Sequence, residues 1–244
     1  MNITDHNAQL FAKELEGDGY LPIHRPKYAA IVKELRFHRA RSLLDVGALN
    51  GAGTILLRDE LGLETSQVYA TDVFPEAVEA CRRRGLQAML WPAQTPFPLQ
   101  GRSFDVITLL DVIEHLVETD ELLLLLRGLL SETGRLVLTT PNLAYWWSRV
   151  RLLFGKIPVY GPSPSPRHVF DLSAHPGHLR VLPTGSWIPL FPALGFRLLT
   201  VFGYHEAPLS FMGPRHRVMQ WLDERSSRFP TIAKGVGFVL ERTQ

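Results

Sequence analysis

The stretch "SLLDVGALNGAG", residues 42–53, decides the fold. An apolar run closes on Asp45-Val46-Gly47, and glycine returns at Gly51 and Gly53. A buried strand followed by a glycine turn and then a helix brings backbone N–H groups close to a ligand. Downstream, "QVYATDV" (67–73) reads as the next strand and ends on Asp72, 21 residues beyond Gly51. An acidic side chain at that place accepts hydrogen bonds from ribose hydroxyls.

Further out, the same alternation continues. Residues 25–38 have helical spacing, 54–62 read as a helix closed by Gly62, and 75–85 as a helix opened by Pro75 and closed by Gly85. Residues 86–90, 104–110 and 135–141 read as strands, and 118–134 as a helix with a C-terminal glycine. Strand–helix alternation predicts a parallel sheet with helices on both faces. Its ligands bind beyond the carboxyl ends of the strands, where Asp45, Asp72 and Asp111 fall. After residue 141 the alternation breaks. Residues 142–192 are rich in Pro, Gly, aromatics and His, and two late strands, 196–205 and 236–243, flank a helix over 215–227. The expected architecture is a doubly wound, Rossmann-like, seven-stranded, mostly parallel sheet with an inserted aromatic and basic lid. The expected boundaries are an N-terminal helical cap over 1–40, a cofactor-binding core over 41–141, the lid over 142–192, and strands completing the sheet over 193–244.

Composition narrows the function classes. With 244 residues, 45% of them hydrophobic, the chain can bury one sizeable core. A formal net charge of +2 is too near balance for a general polyanion binder, so no nucleic-acid partner is expected. Cys81 is the single cysteine, so no internal disulfide can form. The first residues lack an apolar signal core, and "LLLLL" (122–126) is too short to span a bilayer. A cytoplasmic location is the expectation.

The cofactor follows from what the loop lacks. A nicotinamide fingerprint reads G-x-G-x-x-G, whereas here the spacing is Gly47-x-x-x-Gly51-x-Gly53. Asp45, two places before the first glycine, would repel a pyrophosphate. S-adenosylmethionine carries an ammonium and a sulfonium and no phosphate, and suits that carboxylate. Leu49 stands where glycine is usual, so its side chain should turn into the core or hold the loop farther from the cofactor.

Four ordered segments, "LLDVGALNG", "VYATDVFPEAV", "PFPLQGRSFDVITLLDVIEHL" and "GRLVLTTPN", resemble the motifs of class I S-adenosylmethionine-dependent methyltransferases. The small-molecule type 11/23-like branch is the most similar. "PNLAYWWSRVRLLFGKIPV" resembles the MetW group and methyltransferases of bacterial surface-glycan clusters, and "GHLRVLPTGSWIPLFPALGF" is similar to a segment of the same set. The resemblance implies that Gly47, Ala48 and Gly51 line the methionine portion of the cofactor, with Asp45 shaping the loop and Asn50 among the cofactor-binding residues. It also implies that Asp72 binds the ribose, that Val73 and Phe74 pack near the adenine, and that Leu110 and Asp111 border the cofactor. Trp91 and Ala93 take the place where relatives hold the adenine amino group. Backbone groups or Gln94 would do so here, and Trp91 either stacks on the ring or belongs to the core.

"LLDVIEHL" allows three readings. If helical, it puts Asp111, Glu114 and His115 on one face, where they could hold a divalent cation. His115 could instead be a general base, or the segment could be a hydrogen-bonded clasp. His168 is a second candidate base. His168, His175 and His178 do not by themselves match zinc spacing. Residues 142–180 carry five Lys/Arg against one acid, Asp171, interleaved with Tyr145, Trp146, Trp147, Phe154 and Tyr160. That surface suits an anionic sugar, a quinone or a lipid-linked acceptor, and Arg149 and Arg151 could rest on a membrane. The expected activity is O-methylation of such a small molecule. The alternative is a MetW-like, non-catalytic cofactor-binding partner of another enzyme. Oligomeric state is left open.

Overall fold

The computed structural model describes residues 15, 20–92, 95, 97–99, 101–162, 174–175, 177–207 and 214–243. Seven strands, β1 (Leu43–Val46), β2 (Val68–Asp72), β3 (Gln87–Leu90), β4 (Phe104–Leu110), β5 (Leu130–Pro141), β6 (Phe196–Tyr204) and β7 (Gly235–Arg242), form one sheet in the order β3-β2-β1-β4-β5-β7-β6. β1 to β5 pair in parallel, and β7 runs antiparallel between β5 and β6. The late strands therefore extend the sheet edge as an antiparallel pair. The reversal between β1 and β4 is the topological switch where such sheets bind ligands.

Helices α1 (Tyr20–Leu35), α2 (Ala52–Glu60), α3 (Pro75–Arg83), α4 (Thr119–Leu129), α5 (Trp146–Leu153) and α6 (Pro214–Ser226) surround the sheet. Buried side chains split by strand period into two faces. Ile107 and Leu109 of β4 join Leu122, Leu126, Trp187 and Phe191 on one side. Val106 and Leu110 join Tyr28, Ile31, Leu57 and Val78 on the other. All seven residues of β4 are buried, as a continuously apolar central strand must be.

Two elements depart from the expected bounds. α1 begins at Tyr20 and runs through Pro26, which by itself resembles a helix start. The helix expected over 118–134 ends at Leu129, and the strand begins at Leu130. Gly134 is not a helix cap. It lies in β5 where a Cβ would stand 2.7 Å from the Phe104 carbonyl oxygen, and glycine permits that approach.

Candidate functional site at the carboxyl edge of the sheet

The loop after β1 is held by its own acids. Asp45 is buried, and its carboxylate accepts hydrogen bonds from the hydroxyls of Thr54 (2.5 Å) and Thr108 (2.7 Å). It thus ties the first turn of α2 to β4. Burial pushes its pKa up, and the two hydroxyl bonds oppose that rise. The carboxylate points inward, so it shapes the loop rather than facing a ligand. Asn50 is buried too, and its side-chain oxygen accepts the Ala52 N–H (3.0 Å) at the start of α2.

Gly47, Leu49 and Gly51 have φ values of 80°, 51° and 78°. The left-handed backbone explains why glycine is usual at the Leu49 position. Leu49 is half-buried, and its N–H donates to Asp72 Oδ2 (2.9 Å). Gly47 clears Val112, whose Cγ2 would lie 2.4 Å from an added Cβ. Gly51 clears Leu86 and Cys81, so its missing side chain serves packing against α3.

Asp72 closes the loop from β2. Its Oδ1 accepts the Phe74 N–H (3.0 Å) while Oδ2 takes that of Leu49. A carboxylate offers about four acceptor positions, so the two bonds orient it and leave others for ribose hydroxyls. Burial raises its pKa to about 6 against the lowering effect of those N–H groups. Val73 is exposed and Phe74 half-buried beside it, an open apolar margin of the kind an adenine requires. Ala48 and Leu110 are buried along the same edge. The residues present therefore fit an S-adenosyl cofactor. Trp91 is 2% exposed and stacks edge-on against Phe97, with its indole N–H donating to the Thr95 carbonyl (3.0 Å). Its ring belongs to the core, and its backbone N–H donates to the Asp72 carbonyl (2.9 Å). Ala93, Gln94 and His168 lie outside the described residues.

A charged cluster adjoins this loop. Asp111 has φ 54° and follows β4 directly. It accepts hydrogen bonds from Lys27 Nζ (2.7 Å), Thr139 (2.8 Å) and the Tyr204 hydroxyl (2.8 Å). Burial alone would raise the Asp111 pKa, but Lys27 holds it far below the usual carboxylate range. Burial would likewise lower the Lys27 pKa, and Asp111 reverses this. Beyond them, Glu206 accepts from Tyr160 (2.8 Å) and from Lys234 (2.6 Å). None of Lys27, Tyr204, Glu206 and Lys234 stands out in the sequence. α1 and the β6–β7 edge deliver them from opposite ends of the chain.

The "EHL" and "GHLR" segments meet. Glu114 O accepts the N–H groups of Leu179 (2.7 Å) and Arg180 (3.0 Å). His115 Nδ1 bonds the Gly177 carbonyl (2.9 Å), and the His115 and His178 rings lie 4.8 Å apart. Asp111 precedes a short 3-10 turn, Ile113–His115, so the helical face expected for Asp111, Glu114 and His115 does not form. Instead, donor atoms of Glu114, His115 and His178 lie within 4.8 Å of one another. Burial and the charge of Asp111 push Glu114 well above the ordinary carboxylate range, while burial lowers His115.

Much of the lid's aromatic and basic character is structural. The Tyr145 hydroxyl and the Trp146 indole N–H (2.9 Å) both donate to Asp223 of α6. Arg149 donates to the carbonyls of Ala144 and Thr231, and Arg151 to that of Ile157. Leu152, Leu153 and Phe154 remain exposed at the end of α5. Among the described residues, no helix is long and apolar enough to cross a membrane.

Comparison with known proteins agrees with this geometry. The family described as "Methyltransferase domain" matches residues 20–201. Among curated proteins none matches the chain. Among solved structures, the CcbJ methyltransferase from Streptomyces caelestis superposes with a TM-score of 0.66 at 15% identity, covering 100% of each chain. N-methyltransferase NodS from Bradyrhizobium japonicum WM9, in complex with S-adenosyl-L-homocysteine, gives 0.60 at 13% identity, over 98% of this chain and 100% of that one. Magnesium protoporphyrin IX methyltransferase from Synechocystis PCC 6803, with bound S-adenosylhomocysteine, gives 0.61 at 15% identity, over 97% and 95%. At such identities the likeness is one of fold.

Proposed function

The chain belongs to the methyltransferase-domain family, and on that premise we propose that it O-methylates a small molecule held at the charged cluster beside the 47–51 loop. The carrying observation is the placement of Lys27, Asp111, Tyr204 and Glu206 at the same sheet edge as Asp72. S-adenosylmethionine supplies the methyl group as an activated electrophile. The chain's own work is to align the acceptor with it, and orientation accounts for much of such an acceleration.

In this reading Asp72 accepts the ribose hydroxyls, Val73 and Phe74 border the adenine, and Gly47 and Ala48 border the methionine end. Asp111 acts as a positioning residue. Its carboxylate is committed to Lys27, Thr139 and Tyr204, so it fixes the ammonium and the phenol that back the acceptor site. The acceptor proton leaves through the cluster of Glu114, His115 and His178, the group of donors nearest the EHL turn. Cationic and phenolic groups favour an oxygen-rich acceptor such as a glycan or a quinone precursor. Exposed Leu152, Leu153 and Phe154 beside Lys156 favour a lipid-linked form presented at a membrane surface.

A labelled-methyl transfer screen over glycan, quinone and lipid-linked acceptors tests this. Incorporation into a hydroxyl acceptor supports it. Cofactor binding without incorporation, together with stoichiometric capture of an acyltransferase, supports a MetW-like regulatory partner instead.

A further inference from the structure

We infer that the amino edge of the sheet carries a second binding site, for a phosphate-bearing small molecule. A recess of about 590 Å³ lies there, within the size range of small-molecule clefts. The topology gathers three arginines on it. Arg41 precedes β1, and Arg102 precedes β4. Arg242 ends β7, and because β7 runs antiparallel to β5, its last residue arrives at the edge where the parallel strands begin. Asp72 ends β2 and Asp111 follows β4, so the cofactor loop lies a strand length away at the opposite edge.

The guanidiniums are positioned but not neutralised. Arg41 is tied to the buried Asp105 through its backbone N–H (2.9 Å) and its Nε (3.4 Å), while Ser131 donates to the other carboxylate oxygen (2.7 Å). Both terminal nitrogens of Arg41 are left for a ligand, on a side chain that is 85% exposed. The Arg102 guanidinium lies 4.8 Å from the Tyr69 ring centroid. Such stacking orients the cation and brings no counter-charge. Among the described residues, neither Arg102 nor Arg242 makes an ion pair. An adjoining recess of about 450 Å³ shares Glu132 and Arg242 and adds Arg127. Arg127 donates to the carbonyls of Gly195 (2.8 Å) and Thr243 (3.2 Å), which keep its charge intact. Four guanidiniums thus face two carboxylates, Glu132 and the Asp105 already engaged by Arg41. Gathering like charges is unfavourable until a counter-charge joins them.

The arrangement selects the anion. A carboxylate presents two oxygens to one guanidinium fork, whereas a phosphate accepts from forks on several sides. Three guanidiniums supplied by separate segments, with the hydroxyls of Ser103 and Thr133 on the same lining, suit the phosphate. The volume leaves room for the remainder of a phosphorylated metabolite. The overall formal charge of only +2 hides this local excess.

The test is calorimetric titration of the full chain with pyrophosphate in about 0.15 M salt, where diffuse attraction between exposed charges is screened beyond about 8 Å. One equivalent should bind. Arg102→Gln and Arg242→Gln should each weaken binding about tenfold or more, as loss of a charged hydrogen-bond donor does. Arg225→Gln removes the same charge on α6, outside both recesses, and should leave the affinity unchanged. Succinate, a dianion of carboxylates, should bind clearly more weakly than pyrophosphate. Absence of pyrophosphate binding, an equal loss in all three variants, or equal affinity for succinate overturns the inference. So does competitive displacement by S-adenosylhomocysteine, which would place the pyrophosphate at the cofactor loop.

Discussion

Lys27 Nζ lies 2.7 Å from Asp111 Oδ2, across 84 residues of sequence, with the lysine side chain 1% exposed. The pair joins α1 to the carboxyl end of β4 and fixes the polar edge on which the acceptor is proposed to sit. Removing one partner from a buried pair strands the other charge, at about 3–5 kcal/mol. Lys27→Met should therefore lower unfolding stability by that order in urea titration. Lys27→Met combined with Asp111→Asn should lose clearly less than the sum of the two single changes. Strict additivity would show that the pair is not coupled.

Leu49 occupies a left-handed backbone, φ 51°, at a cost of roughly 1–2 kcal/mol for an L-residue with a side chain. Leu49→Gly relieves that strain, offset by the greater freedom of glycine in the unfolded chain, about 0.5–1 kcal/mol. The melting temperature should hold or rise. Leu49→Val, β-branched in the same conformation, should lower it. A marked drop for Leu49→Gly would mean that packing of the half-buried leucine outweighs the strain.

His24 gives the chain an acid-side weakness. Burial, helped by Lys27, lowers its pKa from 6.5 to about 4. Between those values the unfolded chain binds the extra proton and the folded chain does not. Stability therefore falls as pH drops from 6.5 towards 4, by at most about 3 kcal/mol from this group. His24→Asn should flatten the pH dependence of the melting temperature over that window. An unchanged slope would assign the acid sensitivity elsewhere.

Asp72 titrates in the opposite sense. Burial raises its folded pKa from 3.8 to about 6, so its ionisation lowers stability as pH rises from 4 to 6. The ionised form is the acceptor for ribose hydroxyls. Affinity for S-adenosylhomocysteine should accordingly decline below about pH 6 in calorimetric titration, and Asp72→Asn should remove that decline. A pH-independent wild-type affinity would take Asp72 out of the ribose role.

The sheet was legible because its signals are local. An apolar β4, glycine turns and Asp72 at a strand end each declare themselves within a short window. The glycine loop, Asp45 as its shaper, and the EHL and GHLR segments were legible as motifs, but their meeting was not. His178 joins Glu114 and His115 only through the fold, so spacing along the chain gave no hint of the trio. Lys27 looks like any helix lysine until α1 is laid over Asp111. Beyond Arg127-Gly128 the leucines of α4 resume as Leu129-Leu130, and only the close approach of Gly134 to the Phe104 carbonyl reveals the change from helix to strand. Trp91 offered a ring for stacking, and packing against Phe97 claimed it for the core.

Calorimetric titration of the full chain with S-adenosylhomocysteine tests the central claim most directly. The account predicts binding at one site per chain, tighter than about 1 mM, and weakened at least tenfold by Asp72→Ala in a folded protein. No detectable binding by the wild-type chain, or equal binding by Asp72→Ala, would contradict it.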